Sequence, residues 1–380
     1  MIFEIMRIAL EHGASVHVVL NDWGSAAMVK RLARLNATWS YTWLETSLKR
    51  AQLTPMGVFA YAREFWRSSM DLLRAASRVR PRRVLVVDYS AALRNAFALL
   101  FLRWTGVPVI MKLQNAPESA AFYRRLLRWL VNPLISTFVC NSQFTHDALA
   151  ASGVPRRKTT IIYNTVPNRT VVGMPRARCQ GRIVYVGQVI PEKGLGELLD
   201  AVEILIARGL GVSLDVVGAI DDWGTPDLIQ FRKRIRARVD ADPLRGRVRL
   251  AGFQENVHQY LSAATVHCCP SLPSIREAFG LVVLEAKYAG VPSVVFNSGA
   301  LPELVTHDVD GWICREPTGM ALADGLAHFL ERPAAAAAAG VKAFESTARF
   351  SRDQFVDGWW MLLSDREAQM RPPVPFSEVV

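Results

Sequence analysis

Arg182-Ile183-Val184-Tyr185-Val186-Gly187-Gln188-Val189-Ile190-Pro191-Glu192-Lys193-Gly194 opens as a β-branched and aromatic run, breaks at a glycine and closes on a proline–glycine turn. Leu195, Leu198, Leu199, Val202 and Leu205 follow at helical spacing, and Gly209 ends the pattern. Strand, loop and helix in that order make one βα unit. The same alternation recurs along the chain, which predicts an α/β fold built on parallel sheets. In the first half the expected strands are Ser15 to Leu20, Arg83 to Val87, Val107 to Leu113, Thr137 to Asn141 and Thr159 to Tyr163. In the second half they are Arg182 to Val186, Ser213 to Val217, Val248 to Gly252, Thr265 to Cys269 and Pro292 to Phe296. Asn164 to Gly181 carries Pro167, Gly173 and Pro175 without periodicity and reads as a linker. The 380 residues exceed one comfortable core, so two domains are expected. Their predicted extents are 1–167 and 168–350, with a helix over 351–370 packing back toward the first domain and a tail over 371–380. Ala334 to Ala339 reads as ordinary helix.

Ligands of open parallel sheets lie beyond the carboxyl ends of the strands, so chemistry belongs in loops that leave a strand and open a helix. In the loop quoted above, Lys193 stands at a helix mouth beside glycines, where a diphosphate finds both charge and free N–H groups. A solvated turn lysine is the competing reading. A second such loop follows Thr265 to Cys269 as Pro270 to Gly280, and a helix over Leu281 to Ala289 closes at Gly290. That helix is apolar apart from Glu285 and Lys287, and Glu285 shares its face with Leu281, Val282 and Tyr288. A carboxylate there needs hydrogen-bond donors, which a ribose diol or an arginine elsewhere in the chain could supply. Glu277 precedes the helix, placed either to cap it or to meet sugar hydroxyls and positive charge developing at an anomeric carbon.

Composition narrows the classes. The chain is 51% hydrophobic and 21% charged, the profile of a folded globular protein. The longest apolar run, Ala96 to Leu102 between Arg94 and Arg103, falls far short of the ~20 residues that cross a bilayer. The opening residues carry Glu4 and Arg7 and no cleavage-site pattern, so a cytoplasmic protein is expected. The five cysteines, Cys140, Cys179, Cys268, Cys269 and Cys314, lack metal-ligand spacing and read as free thiols in the interior; no metal site and no cofactor are predicted. The net charge of +11 is unevenly spread: residues 1–170 hold 23 Lys and Arg against 9 Asp and Glu, and residues 171–380 hold 22 against 25. A basic first half suits an anionic membrane surface, with Arg124, Arg125, Arg128 and Trp129 as one contact and a solvated helix face as the alternative. No aromatic-plus-basic or zinc module points to nucleic acid, and no Gly-x-Gly-x-x-Gly follows a strand as a dehydrogenase would require.

With these residues in place, the chain from Gly181 to about Cys314 resembles the donor domain of family 4 glycosyltransferases, retaining enzymes of GT-B fold, among them bacterial cell-surface polysaccharide and glycolipid enzymes. The matching text is Gly187 to Gly194, Val248 to Phe253, Glu277 to Glu285, Gly299-Ala300-Leu301-Pro302-Glu303 and Asp310-Gly311. The resemblance implies two Rossmann-like domains facing across a cleft. It implies that Lys193, Gln188 and Gly187 hold the diphosphate of a UDP- or GDP-sugar, that Phe279, Gly280 and Leu281 offer backbone N–H groups, and that Glu285 meets the ribose. It also implies that Phe253 lies near the base and that Glu277 serves the reacting carbon, without a metal. The acceptor is expected to be lipid-linked or a glycan.

Three departures bear on this. Gln188 stands where the family has an arginine, and Gln114 and Asn115 follow the Val107 to Leu113 run where a histidine is usual, leaving them as acceptor-side candidates. Ile2, Ile5, Met6 and Ala9 at helical spacing, ended by Gly13, open the chain in a helix, whereas the family opens with a strand and a Gly-rich loop. The expectation is that this first strand is missing here and that a start codon lies upstream of Met1. A non-catalytic sugar-nucleotide-binding relative is the second function consistent with these departures.

Overall fold

The computed structural model describes residues 1–22, 25–42, 55–117, 120–166 and 179–364. Among the described residues twelve strands are formed: β1 (His17–Asn21), β2 (Thr38–Thr42), β3 (Val84–Val86), β4 (Val109–Lys112), β5 (Thr137–Cys140), β6 (Thr159–Ile161), β7 (Arg182–Val186), β8 (Ser213–Val217), β9 (Val248–Gly252), β10 (Val266–Cys269), β11 (Ser293–Phe296) and β12 (Gly311–Cys314). Every strand pairing among the described residues is parallel, with helices filling the crossovers.

The second-half sheet runs β12-β11-β10-β7-β8-β9. Leaving β7, the chain adds β8 and β9 on one side and then returns to add β10 on the other. The crossover therefore reverses direction between β7 and β10, and that is where a crevice opens at the carboxyl edge of a doubly wound sheet. Central strands covered on both faces are predominantly apolar. Accordingly Ile183, Val184 and Tyr185 of β7 and all four residues of β10 are buried. The helices Leu195–Ala207 and Gly319–Leu330 supply Leu198, Leu199, Val202, Leu322 and Leu326 to one face.

First-half strands fall into two sheets. One has the order β3-β4-β5-β6, and β1 pairs with β2 alone. The break separates β1 and β2 from the other four strands. The opening helix, Ile2–Glu11, packs against the helix Arg352–Leu363. Ile5 and Ile8 meet Phe355, Trp359 and Leu362 over Ile110, Val139 and Ile162 of the first-half sheet. His12 stacks on Trp360 at 4.1 Å between ring centroids, and Arg83 donates to the carbonyls of Leu363 and Ser364. Residues 365–380, including the expected tail, and most of the expected linker lie outside the described residues. Among the described residues no helix is long and apolar enough to cross a membrane.

The expected interior placement of all five cysteines needs correction. Cys140, Cys268, Cys269 and Cys314 are buried and Cys179 is exposed. Cys179 comes ahead of β7, before the left-handed turn at Gly181, and so lies outside the packed strand.

Candidate active site

Both loops at the switch point are shaped by close backbone approach. Gly194 has φ +71, and a Cβ there would stand 1.9 Å from the Pro270 carbonyl oxygen. The loop after β7 is thereby pressed onto the loop after β10, and only glycine fits. On the far side Gly299, φ +58, lies against the backbone of Glu277, where a Cβ would come within 2.1 Å of the carbonyl oxygen. The Glu277 backbone is therefore held against the segment after β11.

Its carboxylate has two protein donors. Lys193 Nζ donates at 2.5 Å and Ser271 Oγ at 3.0 Å, both to Oε2. The side chains are 22% and 17% exposed for Lys193 and Glu277, so the pair is largely sheltered and still reachable from the crevice. This removes one alternative for each residue. Lys193 is not a solvated turn lysine, and Glu277 is not a helix cap: the helix Leu281–Tyr288 starts at Gly280, φ +88, with no side-chain cap. An ammonium has three donors, so Lys193 can hold Glu277 and still reach an anion between the loops. Burial and the nearby Glu277 carboxylate push the Cys269 thiol up to about 11, which keeps it an inert neutral neighbour.

The first N–H groups of the Leu281–Tyr288 helix have no acceptor within their own helix and face the anion-favouring end of its dipole. Phe279 is buried and locked by Tyr163 and Phe350 at 6.3 and 5.9 Å, which fixes the backbone that carries those groups. Glu285 is half-buried, as are Leu281, Val282 and Tyr288 on its face, while Val283, Leu284, Ala286 and Lys287 are buried. Lys287 points away and pairs with Asp310 at 2.5 Å. Gly187 sits where its loop touches Gly218, Gln188 is exposed, and Phe253 is 72% exposed beyond β9. Gln114 and Asn115 are exposed in the loop after β4.

Residues that reading the sequence missed close the cleft. Ser142 Oγ donates to the Ala278 carbonyl oxygen at 2.7 Å, and Thr145 Oγ1 lies 3.3 Å from the same oxygen. Glu303 accepts from the backbone N–H groups of Gln143 at 2.8 Å and Phe144 at 2.6 Å, the free N-terminus of the helix Gln143–Ala151. Burial pushes the Glu303 carboxyl up, and those two donors pull it back. Arg276, in the left-handed region at φ +50, donates to the Pro117 carbonyl at 2.8 Å and stands over the Phe144 ring. That bond ties the Glu277 loop to the loop carrying Gln114 and Asn115. Ser142 also caps its own helix by accepting from the Thr145 N–H, and its partner Ala278 lies more than a hundred residues away.

The comparisons with known proteins agree with this geometry. The profile of group 1 glycosyl transferases matches residues 179–346, and that of Glycosyltransferase Family 4 matches residues 1–168. The amylovoran biosynthesis glycosyltransferase AmsK of Erwinia amylovora is 29% identical over 189 residues, 48% of this chain and 44% of that protein. The D-inositol 3-phosphate glycosyltransferase of Mycobacterium avium is 32% identical over 216 residues, 53% of this chain and 44% of that protein. The chain spans about half the length of the curated relatives it matches. Among solved structures, Anabaena Alr3699/HepE in complex with UDP superposes with a TM-score of 0.73 at 20% identity, covering 96% of this chain and 95% of that one. The shared architecture is the GT-B fold, two α/β domains facing across a cleft. With one profile on each half and the Lys193–Glu277 pair at the switch point, the chain belongs to the family 4 glycosyltransferases.

Proposed function

We propose that the protein is a retaining glycosyltransferase that moves a hexose from a nucleotide-sugar donor to a lipid-linked or saccharide acceptor. The observation that carries the reading is the Lys193–Glu277 pair, a cation and a carboxylate brought together at the crevice of a parallel sheet. In this reading Lys193 meets the diphosphate, with Gln188 and the Gly187 backbone adding uncharged hydrogen bonds. The N–H groups of Phe279, Gly280 and Leu281 take phosphate or sugar oxygens. Glu285 accepts from the ribose hydroxyls and Phe253 covers the base. Glu277 faces the anomeric carbon, where its charge stabilises the cation that develops as the glycosidic phosphate bond breaks. Gln114 and Asn115 flank the acceptor across the cleft.

Residues 1–167 are taken as the acceptor-side domain and 168–350 as the donor domain, with 351–370 returning to the first. A UDP-sugar is favoured over a GDP-sugar because the solved relative Alr3699/HepE binds UDP and UDP-glucose. The basic first half favours a cytoplasmic enzyme resting on an anionic membrane. A non-catalytic sugar-nucleotide binder is the second reading, favoured by the uncharged Gln188 at the diphosphate position. Thermal shifts with UDP, GDP and ADP identify the base, and turnover of a UDP-sugar panel separates the readings. A UDP-induced rise in melting temperature with turnover supports transfer; the same rise without any turnover supports the binder.

A further inference from the structure

The helix Ala96–Trp104 is built inside out. Its sequence is apolar almost all round, yet the residues turned inward are Ala98, Leu99 and Leu102, while Phe97, Leu100, Phe101 and Trp104 point to solvent. Spacings of three, four and seven place those four on one stripe. Their exposures run from 43% for Phe97 to 82% for Trp104. The stripe continues onto the neighbouring helix Pro55–Val79, where Trp66 meets Phe97 at 5.4 Å between centroids and Phe59 stands 72% exposed. Where the Pro55–Val79 helix meets the residues just before Ala96, the buried contacts are polar: Ser68 Oγ donates to Asn95 Oδ1 at 2.8 Å, and Ser69 Oγ to the Arg94 carbonyl. Three large aromatics and a leucine on the outer stripe of one short helix are not the surface of a helix folded to face water alone.

Charge around the stripe selects its partner. Arg63, on the same helix face as Phe59 and Trp66, and Arg67 are exposed. Glu64 is the one acidic residue in 59–67 or 97–104, and it is half-buried. The helical run 121–131 repeats the chemistry, with Phe122, Tyr123, Trp129 and Leu130 exposed beside exposed Arg124, Arg125 and Arg128. An apolar stripe rimmed by arginines fits the boundary between headgroups and acyl chains of an anionic bilayer, and the helix is too short to cross one.

We infer that the outward stripe of Ala96–Trp104, with Trp66 and Phe59, is the face by which the protein lies on an anionic lipid surface. It deepens the lipid-linked acceptor reading and rests on that reading for its purpose. The test is flotation of the full chain with vesicles of phosphatidylcholine alone or mixed with phosphatidylglycerol, with no donor or acceptor present. The chain is expected to float with the anionic vesicles and not with the neutral ones. The triple variant Leu100→Ser, Phe101→Ser, Trp104→Ser is expected to lose ~10-fold or more of the bound fraction, with its melting temperature retained because the replaced groups are exposed. Arg63→Gln with Arg67→Gln should weaken binding and reduce its salt dependence. Trp223→Ser, an 82% exposed tryptophan of the second half, should change nothing. Failure of the parent chain to float with anionic vesicles, or flotation of the triple variant at parental levels, overturns the inference. So does light scattering that finds a dimer which the triple variant converts to monomer, since the stripe is then covered by a second copy. Flotation uses no substrate, so its failure leaves the transferase reading standing, and loss of turnover on a soluble acceptor removes that reading with flotation intact.

Discussion

Lys193 and Glu277 are 84 residues apart in the chain and share a 2.5 Å contact. Each was legible as a residue at a helix mouth, and their meeting was not, because only the strand order places β7 beside β10. Replacing Glu277 by Gln keeps the Ser271 bond and removes the charge. Transfer is expected to fall by about a hundredfold or more in kcat. Glu285→Ala removes the carboxylate proposed to meet the ribose and should raise the donor KM by about tenfold with a smaller effect on kcat. Steady-state kinetics with the turned-over donor separate the two, and full activity in both variants would sink the site assignment.

A second residue makes a pH prediction. His267, in the middle of β10, is fully buried with Nδ1 on Ser293 Oγ at 2.9 Å, and burial pulls its pKa from 6.5 down to about 3. A depressed pKa means that the folded state prefers the neutral ring. The associated stability is present above pH 6.5 and is lost as pH falls from 6.5 toward 3, by at most about 5 kcal/mol. Denaturant unfolding of His267→Leu should show a shallower loss between pH 7 and pH 4.5 than the parent; parallel profiles would count against it.

Among strands and loops, legibility followed burial. β7, β8 and β9 start and end where the sequence runs rich in Val, Ile and Leu do. The two strands missed, β2 and β12, are sheet edges. Thr38-Trp39-Ser40-Tyr41-Thr42 is mostly polar, and Gly311–Cys314 is short and led by glycine, so neither reads as a packed run. The Ala96–Trp104 helix failed differently. An apolar sequence nearly all round gives no sign of which side faces the core, and the long-range contacts of Leu99 and Leu102 decide it. For the loops, Gly299→Ala is the sharpest test. A methyl group there meets Glu277 backbone that cannot swing away, so a destabilisation of about 2 kcal/mol or more is expected. Activity should fall further than stability alone explains, because the displaced residue is Glu277. Calorimetry beside kinetics checks both halves of that statement.

Across the molecule, the two halves are joined at the site itself. Ser142, Thr145 and Glu303 tie the helix Gln143–Ala151 to the loop of Glu277 and to the segment after β11. Glu303→Gln replaces an acceptor of two N–H groups by an amide with one acceptor oxygen, and Ser142→Ala removes the hydroxyl from Ala278. The double variant is expected to be more open, with a larger radius of gyration by solution scattering and a lower kcat. Unchanged scattering and unchanged kcat together would show these bonds to be incidental. Such ties connect a side chain to backbone more than a hundred residues away, which local sequence patterns do not encode.

The helix Arg352–Leu363 returns to the first half and seats Trp359 against the opening helix and the β4–β6 sheet. The chain therefore passes between its halves twice, once between Val166 and Cys179 and again near Phe350. Two crossings constrain a body as a door is constrained by two hinges: they define an axis, permit swing about it and resist twist and translation. The second half is in effect an insert within the fold of the first, so a protease cut at one crossing would leave the halves still connected by the other.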